Sequence, residues 1–146
     1  QDDNFPRGFK IVDEKDYRES GYDRGHLCNS EDRTASEYLN EETFLMSNII
    51  PQTRELNRGP FKFLEAYCRK LAVKKGQSLL IYSGGIGSKG RLVSGVPIPR
   101  FCWKAVYTPT DAFYVLFPNE HQVNKNWNTY RVSKDKLEKM TGFQFP

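Results

Sequence analysis

The feature that most constrains the fold is an apolar stripe with helical spacing near the middle of the chain. The stripe consists of Leu64, Tyr67, Cys68 and Leu71. These positions follow i, i+3, i+4 and i+7, so their side chains share one face of an α-helix. Pro60 predicts the start of this helix and Gly76 its end. A helix with one apolar face has to pack against another layer of the protein.

Strand patterns occur on both sides of this helix. Residues alternate in "YDRGHLC", so a strand here would place every second side chain, from Tyr22 to Cys28, on one side. "EETFLMSNIIPQ" is interpreted as a buried strand or turn that closes at Pro51. "SLLIYSGG" predicts a strand that runs into a flexible glycine-rich loop, "SGGIGSKG". "FCWKAVYT" and "AFYVLFPN" predict two further strands.

The last segment, "VSKDKLEKMTGF", predicts a short helix that is capped by Ser133 and ended by Gly142. Strands and helices do not alternate regularly along the chain. The predicted fold class is therefore α+β, and residues 1–146 are expected to form one domain.

Bulk properties narrow the choice of partner only slightly. A net charge of +4 and a pI near 8.9 favour an anionic partner without demonstrating one. No run of about 18 apolar residues is present, so no membrane span is expected. Cys28, Cys68 and Cys102 allow at most one internal disulfide, and without CxxC spacing a structural zinc site is not expected. Because the chain begins with Gln1, we expect that an N-terminal segment has been removed.

A polar cluster, "SGYDRGHLCNSEDR", surrounds His26, one of two histidines in the chain. A neutral imidazole, with an ordinary pKa near 6.5, can accept a proton from water near neutrality. Arg24 offers a guanidinium suited to phosphate, Gly25 permits close approach, and Asp23 can orient either side chain. The set suits phosphodiester hydrolysis, although a lone histidine is more often structural. The other histidine, His121, is interpreted as a solvated loop residue.

A second polar group consists of Asn48, Asn57, Glu65 and Arg69. Asn57 precedes the predicted helix, where it serves as a cap or turn residue or as an oxygen ligand of hydrated Mg²⁺. Glu65 and Arg69 are separated by one helical turn and form either a surface ion pair or part of a site.

Together these segments resemble a known family. "SGYDRGHL", "TFLMSNIIPQ", "LNRGPFKFLEAYCR" and "YRVSKDKLEKMTGFQF" are similar to segments of the DNA/RNA non-specific endonucleases, the ββα-metal nucleases of the Serratia nuclease and endonuclease G type. The secreted cyanobacterial-type branch looks most similar, and the resemblance covers about Phe5 to Phe145. It implies a central antiparallel sheet with flanking helices and a ββα-metal (His-Me finger) motif.

The resemblance also implies roles at matching positions. His26 would be the general base, Asn57 the direct ligand of Mg²⁺ (or Mn²⁺ or another divalent cation), and Glu65 a holder of the metal's water shell. Arg24 and Arg69 would face the substrate phosphate. The two remaining residues, Asn48 and Asp23, would position the histidine segment and orient its neighbours, respectively.

Further expectations follow from the same resemblance. The substrates would be single- and double-stranded DNA and RNA, cut to 5′-phosphate products, and the location would be extracytoplasmic, either secreted or periplasmic. Because such a nuclease endangers its host, a protein inhibitor is a candidate partner.

Two departures from the family pattern leave alternatives open. A further family arginine, upstream of the segment that "DDNFPRG" resembles, has no counterpart, and Arg7 does not occupy the matching place. One alternative is therefore a catalytically weakened nucleic-acid-binding module of the same fold. The other departure is "HLCNS" in place of "HLAPS", which brings Cys28 near His26. A cysteine hydrolase is the least favoured alternative, because i and i+2 side chains on a strand rarely reach nucleophile–base geometry.

Overall fold

The computed structural model describes Tyr17, residues 20–27 and residues 49–146. Strands β1 (Asp23–His26) and β2 (Ile49–Gln52) form an antiparallel pair. Helices α1 (Arg54–Arg58) and α2 (Pro60–Val73) follow. An antiparallel sheet in the order β3-β4-β5-β6 is formed by β3 (Leu80–Ile86), β4 (Phe101–Tyr107), β5 (Ala112–Pro118) and β6 (Arg131–Val132). A 3₁₀ helix (Trp127–Tyr130) and helix α3 (Lys134–Thr141) complete the described elements. The predicted α+β class is confirmed.

The predicted stop at Pro51 is wrong, because β2 continues through the proline to Gln52. The Pro51 carbonyl accepts a hydrogen bond from Asn119 Nδ2 (3.0 Å). The amide nitrogen and carbonyl of a strand residue point to the same side, so the nitrogen of Pro51 also points away from β1. The N–H that proline lacks is therefore not needed in the β1–β2 ladder.

Helix α1 places Asn57 differently from the cap predicted as one alternative. Thr53 caps this helix, since its Oγ1 accepts a hydrogen bond from the Leu56 N–H (3.1 Å). Asn57 lies inside the helix and presents its side chain to β1. Gly59 lies between α1 and α2. A Cβ there would lie 2.4 Å from the Glu55 carbonyl oxygen, so the position has room for glycine alone.

The predicted helical stripe is largely confirmed in α2. Leu64, Cys68 and Leu71 are buried, whereas Tyr67 is 36% exposed and lies at the edge of the stripe, where its ring contacts Trp127 and Phe113. The helix ends at Val73, before the predicted Gly76. Its apolar face packs on one side of the four-stranded sheet, and residues that include Trp103, Leu137 and Phe145 form a second cluster.

The glycine-rich loop was predicted to begin too early. Ser83–Ile86 belongs to β3, with Gly84 opposite Trp103 of β4. A Cβ on Gly84 would lie 2.8 Å from the Trp103 indole, so the glycine admits a ring instead of ending a strand. The loop starts at Gly87, whose φ of 72° suits glycine.

The C-terminal helix begins and ends as predicted. Ser133 Oγ accepts a hydrogen bond from the Lys136 N–H (3.1 Å), and Gly142 adopts φ 77° at the C-cap. Strands β4 and β5 also match their predicted segments. Among the helices in the described part of the chain, none is long and apolar enough to cross a membrane.

A buried asparagine ties the β1–β2 unit to the four-stranded sheet. Asn119 follows β5 and is fully buried. Its Oδ1 accepts a hydrogen bond from the Thr53 N–H (2.8 Å), and its Nδ2 donates to the carbonyls of Pro51 (3.0 Å) and Pro99 (2.9 Å). Both the oxygen and the nitrogen of this amide are hydrogen-bonded at the junction. These bonds hold the start of α1 against the sheet.

Candidate active site

The centre of the candidate site joins β1 to α1 through a carboxylate. Asp23 Oδ2 accepts a hydrogen bond from Asn57 Nδ2 (3.1 Å). The Arg58 guanidinium also donates to Asp23, from Nε to Oδ2 (2.8 Å) and from Nη2 to Oδ1 (3.0 Å). The Asp23 side chain is only 15% exposed, whereas that of Arg58 is 66% exposed. Two consecutive residues of α1 are thus held by one carboxylate of β1.

These contacts fix the orientation of the Asn57 amide. A carboxylate accepts hydrogen bonds, so the amide NH₂ faces Asp23 and Oδ1 faces away from it. An outward amide oxygen is a suitable ligand for a hard cation that keeps several waters. Asp23, which already accepts three hydrogen bonds, orients the amide. The residues present therefore fit a hydrated divalent cation held directly by Asn57.

His26 lies at the end of β1 and is half-buried. Arg24 is two residues away on the same strand, so both side chains project from one face. Burial of the imidazole lowers the pKa of His26, and the positive charge of Arg24 lowers it further. Both effects favour the neutral imidazole, which is the form that can accept a proton.

Substitution of Arg24 by glutamine is expected to change how kcat/KM for the expected phosphodiester hydrolysis depends on pH. The acid limb of this pH profile should move to higher pH. Removing the guanidinium charge raises the pKa of His26 toward its ordinary value, so an imidazole that acts as a general base would become protonated, and inactive, at a higher pH. The kcat/KM profile at saturating Mg²⁺ measures this, because it reports groups of the free enzyme. Arg91→Gln, in an exposed loop, is the matched control. An unchanged acid limb in Arg24→Gln would contradict this coupling.

Glu65 and Arg69 lie one turn apart on α2, and both are half-buried. Helix α2 follows the Asn57-bearing helix after the single residue Gly59, so α1 and α2 pack closely. The predicted site residues in the described part of the chain lie on β1, α1 and α2, and the elements β1, β2 and α1 follow one another as in a ββα motif. Asn48, and Cys28 of the cysteine-hydrolase alternative, lie outside the described residues.

The sequence of this chain matches that of a known protein family. The family profile described as "DNA/RNA non-specific endonuclease" matches residues 1–146. The chain belongs to this family. It is 39% identical over 158 residues to a nuclease from Nostoc sp., an alignment that covers 99% of this chain and 57% of that protein.

A second curated relative agrees with this membership, and a solved structure shares the fold. The mitochondrial nuclease EXOG of Xenopus laevis is 30% identical over 169 residues, covering 99% of this chain and 46% of its own length. A chain in the crystal structure of the EndoG/EndoGI complex has a TM-score of 0.79 and 22% identity, over 92% of this chain and 62% of that one, and shows a shared fold. This endonuclease-family chain spans about half the length of the curated relatives it matches.

Several contacts at the site of this endonuclease-family chain escaped the sequence predictions. The pair of hydrogen bonds from Arg58 to Asp23 was not predicted, because the sequence shows only that Arg58 is adjacent to Asn57. Gln52 was also missed: it is fully buried and occupies the space next to Gly25, where a Cβ would lie 2.3 Å from Gln52 Oε1. Glycine at position 25 therefore makes room for a side chain of β2.

The cysteines of the described part lie in the core. Cys68 and Cys102 are buried, and Cys102 is a free thiol. Burial raises the pKa of Cys102 to about 12, so this thiol stays protonated at neutral pH. Its thiolate is not available for nucleophilic chemistry.

His121 lies in an open cleft beside the site, with a volume of about 680 Å³. Its Nδ1 is 3.0 Å from Glu55 Oε1, and 66% of its side chain is exposed. This hydrogen bond lowers the pKa of Glu55. The prediction of a solvated His121 is confirmed, and the cleft also includes Arg58 and Lys125.

Proposed function

We propose that this chain is a Mg²⁺-dependent, sugar-non-specific endonuclease that hydrolyses phosphodiester bonds of DNA and RNA to 5′-phosphate products. Family membership supports the endonuclease activity. The observation that carries the detailed proposal is the hydrogen bond from Asn57 Nδ2 to Asp23, which directs the amide oxygen outward. It prepares one oxygen ligand beside the strand that bears His26.

Asn57 would bind the cation directly, and Glu65 would act through the cation's water shell. Mg²⁺ takes few protein ligands and keeps several waters, and Mn²⁺ or another divalent cation is expected to substitute. When bound, the ion supplies Lewis-acid polarisation of the scissile phosphate and stabilises charge on the leaving oxygen.

His26 would accept a proton from the attacking water at a ring nitrogen. Burial of the imidazole and the charge of Arg24 both lower the pKa of His26, so the base is neutral over a wider pH range. Arg24 and Arg69 would contact the phosphate and stabilise the charge that develops on it. Asn48 would position the histidine segment. Contacts made mainly to the phosphate backbone explain low sequence selectivity.

Partners and location extend the same proposal. Residues 1–146 would form one nuclease domain of a protein that acts outside the cytoplasm, as the resemblance to the secreted branch suggests. One structural relative is a chain of an EndoG/EndoGI complex described with a mechanism of EndoG inhibition. This likeness supports a protein inhibitor as a partner beside the single- and double-stranded nucleic acid substrates.

The test is degradation of plasmid DNA and of RNA by this chain with Mg²⁺, with EDTA, and with Mn²⁺ restored after EDTA. We expect cleavage of both polymers, its loss in EDTA, and its recovery with Mn²⁺. Cleavage that persists in EDTA would refute metal dependence. Salt-sensitive DNA binding without cleavage in either metal would instead support the nucleic-acid-binding module.

A further inference from the structure

Lys104 is a buried lysine in the middle of an otherwise apolar strand. Strand β4 has the sequence FCWKAVY, and Lys104 is only 4% exposed. The buried polar and charged residues of the described chain are Gln52, Thr53, Lys104 and Asn119, of which Lys104 bears the formal charge. Burying an ammonium group is costly unless specific partners replace its water.

The partners of Lys104 lie in three parts of the chain: the residue after β1, strand β3 and helix α2. Its Nζ donates to the backbone carbonyl of Leu27 (3.0 Å) and to Ser83 Oγ on β3 (3.2 Å). The same Nζ lies 4.8 Å from the centroid of the Phe61 ring on α2. The ammonium thus connects the end of β1, the four-stranded sheet and the first turn of α2.

Both protein segments that Lys104 touches near the site carry proposed catalytic residues. Leu27 directly follows His26, and Phe61 lies one helical turn before Glu65. Asp23 fixes the other end of β1 through Asn57 and Arg58. Lys104 therefore supplies the contact at the histidine end of the strand.

Stability alone gives little reason for a charge at this position. An unbranched apolar side chain of similar length would fill the same space between the sheet and α2 without losing hydration. What it could not do is hold a backbone carbonyl at a defined point. The hydrogen bond from Lys104 to the Leu27 carbonyl, which requires a hydrogen-bond donor, offsets the cost of burying the ammonium group.

We propose that Lys104 is a positioning residue, whose ammonium holds the backbone after His26 in place relative to α2. The inference rests on the proposed nuclease function, because it assigns a purpose to the placement of His26. Lys104 itself touches no reacting atom in this scheme.

The experiment compares the unmutated chain with Lys104→Met and Val106→Ala. Val106 is buried two residues along the same strand, so its truncation tests the effect of a weakened core without loss of the ammonium. In Mg²⁺, we expect Lys104→Met to lower kcat about 10- to 100-fold with little change in KM, as misplacement of a catalytic group does. Val106→Ala is expected to lose activity only in proportion to its unfolded fraction.

NMR of ¹⁵N-labelled histidine provides a readout that does not depend on cleavage. The chain has two histidines, so the ring signals of His26 and His121 can be assigned by substitution. We expect Lys104→Met to shift the His26 signals and leave those of His121 in place. Unshifted His26 signals would overturn the proposal, as would a kcat loss explained by unfolding. If the unmutated chain does not cleave nucleic acid, the nuclease function is refuted. If Lys104→Met nevertheless shifts the His26 ring signals, the positioning role of Lys104 is supported.

Discussion

Replacement of His26 by alanine is expected to lower kcat for plasmid cleavage by roughly 10²- to 10⁴-fold, the usual contribution of a general base. The imidazole is half-buried, and its burial and the charge of Arg24 lower the pKa of His26. Truncation removes the proposed proton acceptor and leaves the proposed metal ligand Asn57 intact. The rate should be measured under single-turnover conditions at saturating Mg²⁺, so that product release does not mask the chemical step.

The matched control is His121→Ala, the only other histidine substitution this chain offers. His121 is exposed and paired with Glu55, so its loss is expected to leave kcat nearly unchanged. Melting temperatures of both variants should be compared with that of the unmutated chain. A His26→Ala protein that is folded and retains near-full activity would assign the base to another residue.

Replacement of Asn57 by alanine is expected to raise the Mg²⁺ concentration needed for half-maximal activity and to lower kcat. A bound metal ion contributes several kcal/mol to such a reaction, and each ~1.4 kcal/mol is tenfold in rate, so we expect a loss of about 10²- to 10³-fold. Activity should be titrated with Mg²⁺ and with Mn²⁺. Excess metal is expected to restore part of the rate if weakened binding is the cause.

Asn128→Ala serves as the control for this substitution. Asn128 is exposed in the 3₁₀ helix, outside β1 and α1. Its truncation is expected to leave the metal titration unchanged. If Asn57→Ala and Asn128→Ala required the same Mg²⁺ concentration, the assignment of Asn57 as the metal ligand would be wrong.

The sequence predicted elements whose signal is local. The α2 stripe, the Ser133 cap and the apolar strands β4 and β5 each depend on residues close together in the chain. Pro51 and Gly84 misled the predictions because their effect depends on distant partners. Pro51 is compatible with β2 because its nitrogen faces away from β1, and Gly84 belongs to a strand because Trp103 covers it.

The site shows the same division between local and long-range information. Asp23 and His26 are close in one short motif, and the motif predicted a strand that carries them. That Asp23 contacts Asn57 was not predictable from spacing, since the two are 34 residues apart. Lys104 donates a hydrogen bond to Leu27, which is 77 residues away in the sequence. The one local sign of this contact was a charged residue inside an apolar strand.

Gly25 has a consequence for how mutations at this site combine. Because Gln52 fills the space beside its α-carbon, any side chain added at position 25 must displace the side chain at position 52. The two positions are therefore epistatic: the effect of enlarging one depends on the size of the other. Within "DRGH", the glycine therefore determines how closely the Gln52 side chain of β2 can approach β1, while the residues around it carry the charges and the imidazole of the proposed site.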